Sequence, residues 1–303
     1  MLAHRIPTAQ AIGGRSRCPN CGHTITASEN IPLVSYILQR GRCRHCGYRI
    51  PLRYPAIEAA SGLLFALAVV RFDPSAEAVA FAGLFWALIL LTAIDLEFHM
   101  LPNVVVFYGL VGGWALLTVA SVIDESYGRF SIVVGAAAAV TIAIFLLTDP
   151  WPRMPKEAYD EPEGELTAKF RAGGLLLVAG WAALLIFAMA DGPHIRLAGA
   201  AVGAALYAGL FFAVALSYEG GLGGGDIKLA LLLGTFLGYV KAPHFVLVGM
   251  FFAFAAGGLA GIAKLLSGGS RKTAVPFGPL LALGSVMALF VGEPVLDWYL
   301  GSL

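Results

Sequence analysis

Four cysteines and two aspartates are the residues of this sequence whose type and spacing could do chemistry. Cys18-Pro19-Asn20-Cys21-Gly22 and Cys43-Arg44-His45-Cys46-Gly47 are two CxxCG knuckles, with 21 residues between Cys21 and Cys43. A CxxC turn brings two thiolates to one side at the roughly 3.7 Å spacing of a tetrahedral Zn²⁺ with Zn–S bonds of ~2.3 Å, and the glycine relieves backbone strain. Two such turns complete a closed four-thiolate site with no open position for catalysis. The expected ion is therefore structural zinc, folding a domain too small to fold alone. Free thiols or a redox pair compete with this reading. His23 and His45 are read as exposed loop histidines rather than ligands.

Asp95 ends a 19-residue apolar run in Ile94-Asp95-Leu96-Glu97-Phe98-His99-Met100-Leu101-Pro102-Asn103. Asp226 opens another run, behind five glycines within six residues (Gly220-Gly221-Leu222-Gly223-Gly224-Gly225). An acid at a helix end is most often a solvated cap. Here the glycines let a second backbone approach closely, as a bound peptide strand would, and they leave backbone groups that only a cavity or a ligand can satisfy at membrane depth. Gly223, Gly224 and Gly225, with Lys228 in the next turn, are accordingly the expected substrate-binding edge. A phosphate-cradling loop is disfavoured, since no GK[ST] follows and Asp226 would repel an anion. Two carboxylates brought together cannot both stay ionised, so one keeps a proton. The ionised partner then deprotonates water while the protonated one polarises a scissile carbonyl, which is aspartyl proteolysis.

The elements that must position these groups are membrane helices. The chain is 58% hydrophobic and 13% charged, against about 25% charged for a soluble domain. A net charge of +1 and the lack of a basic run argue against nucleic-acid binding. Apolar spans are expected at 56–72, 76–94, 103–123, 129–148, 172–190, 195–217, 227–240, 244–266 and 275–292. Most approach the ~20 residues needed to cross the hydrocarbon core, and the short span 227–240 suggests a helix starting inside the membrane or a locally thinned bilayer. The predicted fold is an all-α polytopic membrane protein of eight or nine spans. A zinc-binding domain (1–54) precedes a transmembrane protease domain (55–303) carrying a mixed-charge loop at 149–171. If every span crosses, 16 of the 20 Lys and Arg residues fall on the side bearing the Cys domain, Asp95 and Asp226. By the positive-inside rule that side is cytoplasmic. No cleavable signal peptide is visible, since the first fifty residues are polar and Arg-rich.

The remaining acids fit catalysis poorly. Asp73, Asp124, Glu125, Asp191, Glu293 and Asp297 fall on the opposite face, and Asp160, Glu161, Glu163 and Glu165 lie in the polar loop. Glu58, just inside the first span, either binds substrate or pairs with a neighbouring Arg such as Arg53, with the ion pair favoured. No HExxH or serine, cysteine or histidine arrangement competes. Two other classes use the same residues: a proton-coupled transporter with Asp95 and Asp226 as a relay, and a zinc-bearing assembly factor without chemistry.

Arg17-Cys18-Pro19-Asn20-Cys21-Gly22-His23, Glu29-Asn30-Ile31-Pro32-Leu33-Val34-Ser35, Arg40-Gly41-Arg42-Cys43 and Arg53-Tyr54-Pro55 resemble the cytoplasmic domain of the type 4 prepilin leader peptidases. Ile94-Asp95-Leu96 with Leu101-Pro102 resembles that family's first catalytic motif. Gly223-Gly224-Gly225-Asp226-Ile227-Lys228-Leu229 resembles its GxGD motif, and Pro276-Phe277-Gly278-Pro279 its C-terminal signature. The resemblance implies cleavage of the leader from type IV prepilins or type II secretion pseudopilins at the inner membrane, with Asp95 and Asp226 catalytic and the four cysteines on zinc. It also implies N-methylation of the new terminal residue from S-adenosylmethionine, although no glycine fingerprint for that donor occurs here. Family members begin with a further membrane helix ending in a motif like Tyr-Arg-Leu-Pro, of which His4-Arg5-Ile6-Pro7 resembles the end. Without that helix the Cys domain would be tethered at one end, which makes methylation less expected than cleavage.

Overall fold

The computed structural model describes residues 6–7, 16–123, 196–217, 223–267 and 276–301. The spans expected at 129–148 and 172–190 and the loop 149–171 lie outside the described residues. Those described are helical, with two isolated β-bridges in the Cys domain, Arg17 to Thr24 and Arg42 to Arg49. The helices are α1 (Val34–Leu38), α2 (Arg53–Phe72), α3 (Ala76–Phe98), α4 (Asn103–Ile123), α5 (Arg196–Ser217), α6 (Gly224–Lys241), α7 (His244–Leu266) and α8 (Gly278–Leu300). Six of them, all but α1 and α6, are long and apolar enough to cross a membrane. The chain is a multi-pass membrane protein.

Helix boundaries follow local chemistry. The Ser75 hydroxyl accepts from the Ala78 N–H at 3.2 Å and caps α3. α3 stops where His99 turns left-handed at φ 53°, its N–H donating to the Asp95 carbonyl, and Pro102 precedes the start of α4. Pro55 in the first turn of α2 removes an N–H that has no helical partner there anyway.

α6 is the axis of the bundle, packed against α4, α5, α7 and α8. Its 18 residues span about 27 Å, and residues Leu229 to Tyr239 are almost all buried. Glycines make this close packing possible. Gly199 and Gly203 of α5 face Gly234 and Gly238 of α6, and a Cβ at any of the four would strike the backbone of the other helix. This is the small-residue crossing by which membrane helices gain van der Waals contact without a hydrophobic driving force. Gly284 of α8 meets the α7 backbone at Gly249 and Ala253 in the same way.

Polar ties lock the two ends of the bundle. At one end Arg196 donates to Glu77 (2.7 Å) and lies over the Tyr239 ring, whose hydroxyl meets Ser121, while Arg71 pairs with Glu293 (2.9 Å). At the other end lie the N-termini of α2, α6 and α8 and the C-terminus of α3. Both aspartates are there.

Candidate active site

Asp95 occupies the last turn of α3 and is 6% exposed. Its Oδ2 accepts a hydrogen bond from the Gly278 N–H at 3.2 Å. Gly278 is the first residue of α8, so this N–H has no intrahelical acceptor and sits at the positive end of the helix dipole. Pro279, the next residue, has no N–H to offer. The turn is fixed from behind by Phe277, whose ring packs against Phe211 and Phe254 at centroid distances of 6.0 and 5.7 Å. Gly278 lies so close to the carboxylate that a Cβ there would stand 2.7 Å from Asp95 Oδ2.

Asp226 lies in the first turn of α6, half-buried, with its N–H donating to the Gly223 carbonyl at 3.0 Å. Leu101 ties the two acids into one site. A Cβ on Gly225 would meet Leu101 Cβ at 3.1 Å, and one on Gly278 would meet Leu101 Cδ2 at 3.2 Å. The same leucine therefore fills the space between the residue preceding Asp226 and the residue that holds Asp95. Gly223 and Gly224 are exposed and Gly225 is partly so, which leaves this edge open beside the two carboxylates.

Lys228 and Glu58 each have a hydrogen-bond partner within the protein. Lys228 Nζ donates to Asn103 Oδ1 at 3.1 Å, which pins the start of α6 to the start of α4. Glu58 does not pair with Arg53: its Oε2 accepts from the Leu33 N–H at 2.8 Å and so ties the Cys domain to α2. Arg53 reaches across to Glu97 at 2.6 Å, two residues past Asp95. Gly278, Leu101 and Asn103 were missed as individual site residues. The paired prolines around Gly278 mark a helix start, but no local signal says which acid that helix end will hold.

The four cysteine sulfurs lie within 4.8 Å of one another, with Cys18 and Cys46 3.8 Å apart. The Cys18–Cys46 distance is close to the edge of a zinc tetrathiolate tetrahedron, roughly 3.7 Å for Zn–S bonds of ~2.3 Å, so the donor set fits zinc. The two knuckles repeat one local structure. Gly22 and Gly47 donate to the carbonyls of Cys18 and Cys43 at 2.9 Å each, and both glycines have positive φ, 71° and 70°. Cys18 and Cys43 in turn donate to the His23 and Tyr48 carbonyls. The Asn20 amide donates to Cys46 Sγ at 3.6 Å. His23 and His45 stack on each other at 4.9 Å rather than joining the sulfurs.

The "Bacterial Peptidase A24 N-terminal domain" family matches residues 1–72, and the "Type IV leader peptidase family" matches residues 172–258. A prepilin leader peptidase/N-methyltransferase from Burkholderia pseudomallei is 34% identical over 281 residues, covering 92% of this chain and 68% of the relative. The chain belongs to the type IV leader peptidase family. Family members bearing the same name in Bacillus subtilis and Aeromonas salmonicida are each 29% identical, covering 98% and 95% of this chain and 90% and 75% of their own lengths. No solved structure matches. The proton-coupled transporter reading finds no support among these leader peptidases.

Proposed function

We propose that Asp95 and Asp226 are the catalytic pair of an aspartyl endopeptidase that removes the leader of type IV prepilins or type II secretion pseudopilins. The observation that carries this reading is the meeting of the α3 C-terminus and the α6 N-terminus at one end of the bundle, around Leu101 and the Gly278 N–H. The pair works with one shared proton. The ionised carboxylate takes a proton from water as its oxygen attacks the scissile carbonyl, and the protonated partner donates to the carbonyl oxygen. The gem-diol intermediate collapses as the carboxyl that took the proton from water gives it to the leaving nitrogen, the C–N bond breaks, and the other carboxylate takes back a proton from a diol hydroxyl. The Gly278 N–H orients Asp95, and the exposed Gly223–Gly225 edge receives the substrate backbone.

The charge distribution supports a cytoplasmic active site in the inner membrane, since 16 of 20 basic residues fall on that side when all expected spans cross. Cys18, Cys21, Cys43 and Cys46 would hold a structural zinc that crosslinks the 1–54 domain ahead of the 55–303 protease domain. Bound there, zinc supplies folding energy and no chemistry. The relatives' second named activity, N-methylation, would draw its methyl group from S-adenosylmethionine, and no residue is assigned to that donor.

Co-expression with a tagged prepilin tests the pair. Wild type should remove the leader, and Asp95→Asn and Asp226→Asn should not, at equal membrane levels of all three proteins. Mutants that cleave as well as wild type would refute the assignment.

A further inference from the structure

The short helix α1 of the Cys domain is built inside out. Ser35 faces inward, 5% exposed, its hydroxyl donating to the Ser28 carbonyl (2.8 Å) and accepting from the Ile31 N–H (2.9 Å). Val34, Ile37 and Leu38, at i, i+3 and i+4, share the outer face. Ile37 and Leu38 are 71% and 70% exposed, and Ile31 and Leu33 extend the same apolar surface. A soluble domain that hides a serine and displays its aliphatic residues is suited to a neighbour that is itself apolar.

The hydrogen bond from Leu33 to Glu58 sets where that surface sits. Glu58 lies in the second turn of α2, a membrane span. Glu58, Phe65 and Val69, at i, i+7 and i+11, share one face of α2. Phe65 and Val69 are exposed, as residues facing acyl chains are. The apolar face of α1 thus stands at the head of a lipid-facing stripe and continues it outward. The domain's charge matches the same neighbour. Residues 16–52 carry Arg17, Arg40, Arg42, Arg44 and Arg49 against Glu29, so the domain stays cationic even with a dianionic zinc tetrathiolate.

We propose that residues 31–38 dock the Cys domain onto the bilayer, with Ile31, Leu33, Val34, Ile37 and Leu38 entering the headgroup–acyl boundary and the domain's net positive charge drawing it toward anionic headgroups at long range. The domain is then held at the membrane surface from two sides, by α2 and by α1. It lies beside the Arg53–Glu97 pair that closes the end of α3 just beyond Asp95.

The test uses the full chain in nanodiscs of phosphatidylcholine and phosphatidylglycerol. A ketone-bearing amino acid carrying a nitroxide, which leaves the zinc cysteines untouched, is placed at position 37, 38, 44 or 63. Leu63, exposed on α2, is the lipid reference and Arg44, exposed on the Cys domain, the water reference. Labels at Ile37 and Leu38 should collide with oxygen in preference to a water-soluble nickel chelate, giving a ratio several-fold above that at Arg44 and near that at Leu63. A ratio equal to that at Arg44 overturns the proposal. Shielding from both quenchers also overturns it, since protein would then cover the face. A label at Val34 replaces any that blocks folding, as judged by zinc content and elution profile. No activity is read, so the outcome is independent of the peptidase assignment.

Discussion

Replacing Gly278 with alanine should slow cleavage sharply while leaving the bundle folded. The new Cβ would stand 2.7 Å from Asp95 Oδ2 and 3.2 Å from Leu101 Cδ2. Even a weak C–H···O contact needs about 3.3 Å, so the carboxylate must retreat by roughly 0.6 Å. The N–H···O bond it would leave is already 3.2 Å long, and a further retreat takes it beyond useful range. Losing a hydrogen bond to a charged group costs about 1.5–3 kcal/mol, and a displacement of this size at a reacting group acts in the same direction. Together these predict a kcat about ten- to a hundredfold lower. Alanine is a better helix former than glycine, so α8 itself should not suffer. The assay follows leader removal from purified prepilin by wild type and Gly278→Ala in the same nanodiscs, with thermal unfolding measured in parallel. A variant that unfolds like wild type and cleaves at full rate would refute the argument that the α8 N-terminus holds a catalytic Asp95. A variant that loses its fold would be replaced by Gly278→Ser, which carries the same Cβ with a polar tip.

Three shorter expectations follow from the same geometry. Purified protein should contain about one zinc per chain, and Cys18→Ser with Cys43→Ser should lose the metal and unfold the Cys domain; an active, folded, zinc-free preparation would contradict the structural role. Gly203→Val should lower the unfolding temperature in detergent, because its side chain meets the α6 backbone with no room to give and overpacking costs about 1–3 kcal/mol. Unchanged melting would show that α5 and α6 do not approach as described. The Thr26 backbone N–H, followed by the Thr26 hydroxyl, holds the Glu29 carboxyl below its usual range. A carboxylate with a depressed folded pKa stabilises fully above its unfolded value and loses that contribution as pH falls through the folded one. The stability gap between wild type and Glu29→Gln should therefore be present at neutral pH and shrink below about pH 4; a gap that widens in acid would be the wrong sign.

How much of this was legible in the sequence depended on how local each determinant is. The cysteine site was fully readable, because CxxCG fixes its own turn and two such turns need only meet. Helix positions were readable within a few residues wherever a proline or capping residue marks an end, as at Ser75 and Pro102. Apolar runs stop at charged residues, but a helix passes through them where distant partners absorb the charge. α3 continues past Asp95 to Phe98 because Glu97 finds Arg53, and α8 continues to Leu300 because Glu293 finds Arg71.

The same logic explains the partner of Arg53. Glu58 is close in sequence, but five residues along a helix turn it about 140° away, so the two side chains point apart. Glu97, arriving on another helix, faces Arg53 directly. Glu58 receives the Leu33 N–H instead, so the residue expected to pair with Arg53 ties the Cys domain to α2. Asp95 shows the converse. Its type and its place at a span end identified it as a candidate, yet what orients it is a backbone N–H on a helix far along the chain, and a backbone donor leaves no mark in side-chain identity. The mark it does leave is indirect: the donor must be a glycine, because any Cβ would displace the carboxylate it serves.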